Sequence, residues 1–278
     1  MPQHPHIEPV DTAGGAAAVD DAEEEEEDDD DLDDGLVALQ RSISNKRREG
    51  ASAASPIQKV LPFPFAPNVR PLTISDVDSC VALENAAFTN KQHRASREKF
   101  EYRLTVCPEL CMGVFCTMVP GRQKRFEIET LASAKPVETD RVNGAVSVLL
   151  GHIIATISSS DLIVDRDMEM PSGWRTAGTR SSSVGHQQSG TTVAIHSLAV
   201  APHVQGCGIG QLVMKSYLQQ INNSGIATRV ALICQENLVN YYKRFGFQHV
   251  GPSKCQFGGG GWHDMAFQLA GIAKITPI

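Results

Sequence analysis

No apolar run in this chain reaches the ~18 residues that a membrane-spanning helix needs, so no transmembrane segment is expected. Residues 1–30 contain no apolar core of a secretory signal either, which leads to the expectation of a cytoplasmic protein. The 7 cysteines are odd in number, scattered, and never form a Cys-x-x-Cys pair. That pattern excludes a disulfide framework and favours a reducing compartment. Cys107, Cys111 and Cys116 come nearest to a cluster, but no histidine follows at zinc spacing, and no metal is expected. Internal repeats are absent. An excess of basic charge is also absent: the net charge is −7, which argues against a nucleic-acid partner.

The charge is unevenly placed. Residues 1–57 hold 16 Asp/Glu against 4 Lys/Arg, whereas residues 58–278 hold 16 against 21. The first segment, dominated by the acid run Asp20 to Asp34, cannot bury a core and is expected to be a disordered tail. It reads as a solubilising segment, with a basic protein as its partner if it has one. Lys46-Arg47-Arg48 reads as part of a solvated linker. Pro62, Pro64 and Pro67 mark the approach to a folded domain, placed at 58–278, which is mildly basic and suited to an anionic ligand.

Within that domain the pattern predicts a mixed α/β fold of about seven mostly antiparallel strands with helices on both faces. Strands are expected at 68–72, 111–119, 144–157, 193–200, 226–234, 247–250 and 262–269, the last beside a sheet edge. Helices are expected from the Thr73–Asp76 cap to Phe88, from Ser96 to Pro108, after Gly210, and from Glu236 to the stop at Gly246. Two insertions interrupt the pattern. One near 120–143 reads as a long hairpin loop. The other, near 158–190, reads as disorder with a short helix around 162–166.

The most informative stretch is Val193 to Phe247. An apolar strand ends at Pro202, and Gln205-Gly206-Cys207-Gly208-Ile209-Gly210 then opens a helix. Glycines at such a turn let successive backbone N–H groups converge on an anion at the positive end of a helix. Gln211-Leu212 follows where a P-loop has Lys-Ser/Thr, and the alternating glycines do not fit the dinucleotide pattern. The order Q-x-x-G-x-G after an apolar strand resembles the pyrophosphate loop of the GNAT acetyltransferases. His196-Ser197-Leu198-Ala199-Val200, Leu232-Ile233-Cys234-Gln235-Glu236-Asn237, Tyr241-Tyr242-Lys243-Arg244-Phe245-Gly246-Phe247, the Cys107–Phe115 block and Val250-Gly251-Pro252 together resemble its arylalkylamine N-acetyltransferase branch.

The resemblance implies acetyl-CoA as cosubstrate, no metal, and a small-molecule amine such as serotonin or tryptamine as acceptor. It implies that the edge at Leu198, Ala199 and Val200 hydrogen-bonds the pantetheine arm. Gln205, Gly206, Cys207, Gly208, Ile209, Gly210 and Gln211 would cradle the pyrophosphate. His196 would accept the amine proton and Tyr242 would protonate the leaving thiolate while touching the cofactor. Asn237 and Asn240 either contact the pantetheine or cap their helix. Phe88, Pro108 and Leu110 are implied in the acceptor pocket, with core packing as the alternative. Ala194 stands where the vertebrate members carry the first of two histidines, so a two-histidine relay is not expected. His203, His249 and His263 read as surface or structural residues, Tyr241 as an exposed neighbour of Tyr242, and Gly258 to Gly261 as a hairpin tip. Polyamine acetylation is the alternative activity. A non-catalytic coenzyme A-binding interaction protein is the alternative of another class.

Overall fold

The computed structural model describes residues 56–120, 126–138, 142–176 and 182–270, all within one compact unit, Ala54–Ile278. The acidic tail and the Lys46-Arg47-Arg48 cluster lie outside the described residues.

An eight-stranded sheet forms the frame. Its strands are β1 (Pro67–Pro71), β2 (Met112–Met118), β3 (Lys135–Pro136), β4 (Val146–Ser158), β5 (Thr192–Val200), β6 (Arg229–Cys234), β7 (Gln248–Pro252) and β8 (His263–Gln268). They run in the order β1-β2-β4-β5-β6-β8-β7, with β3 paired to β4 off this path. Every pairing is antiparallel except β5 with β6. β3 is the addition to the expected seven, formed where the 120–143 loop returns along β4. β8 is flanked by β6 and β7, the edge-adjacent place its sequence suggested.

The helices are α1 (Pro56–Val60), α2 (Val77–Ala87), α3 (Arg97–Val106), α4 (Asp165–Met168), α5 (Ile209–Ser224) and α6 (Val239–Lys243). Before α2, Asp76 accepts from the Thr73 N–H at 2.9 Å and pairs with Arg70 at 2.8 Å. Ser96 caps α3 by accepting from the Lys99 N–H. Gly246, at φ +93°, ends the α6 segment as a left-handed residue should. That segment is shorter in α-form than expected, because Glu236–Leu238 is a 3-10 turn. The core runs along β4, buried from Val148 to Ser158, and takes in Phe100 and Leu104 of α3 and Val213, Tyr217 and Ile221 of α5. A strand inaccessible on both faces reads as one continuous apolar run, as this one does.

The 158–190 insertion departs from the expected disorder. Residues 159–176 form a packed strap. Ile163 and Met168 bury against Ala194, Ala231 and Cys255. Asp167 is buried and accepts from Ser158 Oγ at 2.8 Å and the Val164 N–H at 3.0 Å. Ion pairs Lys99–Glu169 and Arg175–Glu98 tie the strap to α3. The helix falls at Asp165–Met168, a little later than the composition suggested. Few apolar residues suffice here because the segment closes over an existing sheet face.

Candidate active site

Strands β5 and β6 pair only from Thr192↔Arg229 to Ile195↔Leu232. Beyond that point Ser197–Val200 of β5 are paired with β4 alone, and Ile233–Cys234 of β6 with β8 alone. The two parallel strands therefore part, and the β5 edge that carries Leu198, Ala199 and Val200 is left with unpaired backbone groups facing the opening. Leu198 and Val200 are half-buried and Ala199 is buried. An extended amide-bearing ligand can complete such an edge.

The glycine loop stands at the head of this opening. Gly208 is the residue before α5, in left-handed conformation at φ +93°, and no side chain caps the helix. The first N–H groups of a 16-residue helix are thus left without intrahelical acceptors. Open space surrounds the Cβ positions of Gly206 and Gly208. Gln205 folds back to donate to the Val200 carbonyl at 3.0 Å, and Gln211 is exposed at the first turn. Cys207 is half-exposed, while the other six cysteines are buried, and all seven are free thiols. Ile209 contributes only its main chain, since its side chain is buried against Gly151. Uncapped donors, free space and a positive helix end together fit a diphosphate.

Tyr242 in α6 is 8% exposed, and its hydroxyl makes no hydrogen bond to a described residue. Burial pushes this phenol far above its ordinary value, with Cys234 and Tyr241 adding to the effect. It stays an O–H at any physiological pH. Tyr241 is not the exposed neighbour expected. It is half-buried, stacks edge-on with Tyr242 and Phe245, and brings its hydroxyl against Gly210. Asn237 and Asn240 are exposed, and neither caps a helix.

His196 is half-buried, with Nε2 2.8 Å from Thr156 Oγ1 and Nδ1 3.4 Å from Met168 Sδ. Thioether sulfur only accepts, so Nδ1 carries the proton and Nε2 accepts from Thr156. Burial, with the positive charges of Arg103 and Lys99, holds this imidazole well below its ordinary value. His196 is thus neutral and a weak base. Thr156 is the cross-strand partner of Ala194. Its hydroxyl meets His196 from that place.

A second polar group was missed in the sequence. Ser197 donates to Glu84 Oε2 at 2.6 Å, and His152 Nε2 lies 3.3 Å from both. Glu84 Oε1 accepts from the Ala95 N–H at 3.0 Å. All three side chains are buried. Signals were there: Glu84 interrupts the inward stripe of Val77, Cys80, Leu83 and Ala87, and His152 interrupts the most apolar strand of the chain. A bulge in β5 brings this group close to His196. Ile154 pairs with Ser197 and Ala155 with Ile195, so His196 is the extra residue.

Of the residues implied in the acceptor pocket, Phe88 and Pro108 are half-buried. Leu110 is a core residue instead, fully buried with its carbonyl bonded to the Tyr217 hydroxyl at 3.0 Å. His203 is exposed and pairs with Glu129. His249 and His263 also fit the surface or structural reading, with ring nitrogens 2.9 Å apart. Phe257–Gly259 forms a 3-10 turn leading into β8, away from any phosphate role. Among the described residues no cluster of His, Cys, Asp and Glu could hold a metal, and no helix is long and apolar enough to cross a membrane.

Residues 175–269 match the family model described as an acetyltransferase (GNAT) domain. The chain carries a GNAT acetyltransferase domain. It is similar to serotonin N-acetyltransferase of Mesocricetus auratus, 26% identical over 195 residues, which are 69% of this chain and 73% of that protein. The Homo sapiens enzyme of the same name is 24% identical over 195 residues, with the same two coverages. Among solved structures, the loading GNATL domain of CurA from Lyngbya majuscula aligns at TM-score 0.48 and 11% identity, covering 73% of this chain and 98% of that one. The PaiA N-acetyltransferase of Thermoplasma acidophilum, in complex with coenzyme A, aligns at TM-score 0.42 and 11% identity, covering 73% and 99%. The mixed α/β, mostly antiparallel GNAT fold expected from the sequence is the fold observed, and the chain is serotonin N-acetyltransferase-like.

Proposed function

We propose that this acetyltransferase moves acetyl from acetyl-CoA to the primary amine of an arylalkylamine such as serotonin or tryptamine, by direct attack within a ternary complex. Acetyl-CoA supplies the activated thioester. The chain supplies its grip, through the loop from Gln205 to Gln211, the β5 edge at Leu198–Val200 and the exposed Asn237. The amine nitrogen forms a bond to the thioester carbonyl carbon, the carbon–sulfur bond breaks, and sulfur leaves with the electron pair. Tyr242, a buried phenol, gives that sulfur a proton. The amine must lose one, since an ammonium has no lone pair.

The observation that carries the proton path is the 2.6 Å bond from Ser197 to Glu84, one residue from the β5 edge. A serine whose proton already leans on a buried carboxylate can take the amine's proton as it passes its own on. His196 with Thr156 is the second candidate, its basicity lowered by burial. No cysteine stands at the β5 edge to form an acyl-enzyme, and the half-exposed Cys207 lies in the phosphate loop.

A buried Arg103 cation near this group disfavours a polyamine, whose second ammonium it would repel. Steady-state rates with tryptamine, phenylethylamine and spermidine test the reading. Arylalkylamines should be acetylated with higher kcat/KM than spermidine. The reverse order would move the activity to polyamines, and no thiol release with any amine would leave a coenzyme A-binding protein without catalysis.

A further inference from the structure

Arg103 is the largest fully buried side chain of the described residues, at 2% exposure. Its guanidinium has five N–H donors and no carboxylate of the described residues within ion-pair distance. One donor is used, from Nη2 to the Met168 carbonyl at 3.1 Å, and Nε is buried without a partner. A second buried nitrogen, Nδ1 of His152, is also unpartnered. The two belong to one neighbourhood. His152 meets the ring of Phe100, one turn before Arg103 on α3, with ring centroids 5.7 Å apart. Met168, which Arg103 holds, places its sulfur on His196. The charge of Arg103 is also felt at His196.

Buried unpaired cations and unmet donors are costly, and native chains keep them where something arrives to satisfy them. No described residue does so here, although Glu84, Ser197, His152 and His196 belong to the same neighbourhood. The site already has its carboxylate for the amine end of an acceptor. What it also offers is a donor set for an acceptor that carries oxygen.

We infer that Arg103 is an acceptor-recognition residue that donates a hydrogen bond to an oxygen of the substrate, so that oxygen-bearing arylalkylamines are selected over plain ones. This rests on the acceptor-amine reading of the site. The strap fixes the guanidinium through the Met168 carbonyl, and Nε is left without a partner among the described residues. The oxygen comes either from a ring hydroxyl or from a carboxylate beside the amine.

The test compares phenylethylamine, tyramine and phenylalanine with the wild-type protein and with Arg103→Met. Tyramine or phenylalanine should exceed phenylethylamine in kcat/KM by roughly tenfold or more, the worth of one hydrogen bond from a charged donor. Which of the two gains tells a hydroxyl from a carboxylate. In Arg103→Met that advantage should vanish, with tyramine and phenylalanine falling to the phenylethylamine rate measured in the same variant. Equal rates for all three in the wild type would overturn the inference without any variant being made, and would leave the arylalkylamine reading standing. A uniform loss across the three in Arg103→Met would also overturn it, because Arg103 would then only tether the strap. Turnover of none of them would remove both readings.

Discussion

The hydroxyl of Tyr241 lies 2.7 Å from the point where a Cβ on Gly210 would stand. The first turn of α5 and the aromatic cluster of α6 are therefore set against each other at a contact only glycine permits. Gly210→Ala should displace one or the other and raise the KM for acetyl-CoA several-fold, with a smaller change in kcat. Because the clash is with the hydroxyl alone, Tyr241→Phe in the same protein should restore much of the affinity. A titration of coenzyme A binding in the two variants decides it. An unrescued double variant would mean that the glycine serves the loop and not the tyrosine.

Removing the proton acceptor should slow chemistry and spare binding. For Glu84→Gln and for Ser197→Ala, kcat should fall about a hundredfold, the common scale for a lost general base. The double variant should be little worse than either single one, as expected of groups acting in one relay. Additive losses measured in a four-protein cycle would show that the two residues act separately.

Tyr242→Phe keeps the ring packing against Phe247 and Tyr241 and removes only the proton. The expected result is a drop in kcat of about a hundredfold with KM for both substrates nearly unchanged. A thioester with a more acidic thiol leaving group should lose less rate in this variant than acetyl-CoA does.

His196 should make the protein acid-sensitive. Its pKa is lowered in the fold, so the unfolded chain takes up this proton first as pH falls below the ordinary value of 6.5. The stability that its neutral form carries is complete above that value and declines below it, until the folded pKa is reached. The slope contributed is up to about 1.4 kcal/mol per pH unit. Chemical unfolding of wild type and His196→Asn, compared at about pH 7.5 and about pH 5.5, should show the acid loss shrinking in the variant. An equal loss in both would assign the sensitivity to another group.

Much of this was legible in the sequence, for physical reasons that differ by element. The turn from Gln205 to Gly210 and the helix after it are written in local chemistry, a proline stop, glycines for positive φ, and a spaced apolar face. β4 announced itself by a long apolar run that His152 interrupts. The strap did not, because Ile163 and Met168 are too few to signal a core and become one only against Ala194, Ala231 and Cys255, which are distant in the chain. Glu84, His152 and Ser197 were hidden for the same reason. Each lies in a different element, and their meeting spans 113 positions between Glu84 and Ser197. Leu110, drawn from resemblance as a pocket residue, is committed to the core by the hydroxyl of Tyr217.

The bulge at His196 sets the address of everything after it on β5. In an unbroken strand Ile195 and Ser197 would share a face, but across the bulge they pair with adjacent residues of β4 and lie on opposite ones. Excising one residue just upstream would keep the composition, the glycine turn and the helices. It would also swing Ser197 away from its carboxylate and, in the mechanism proposed above, cut the proton path while leaving the cofactor loop intact.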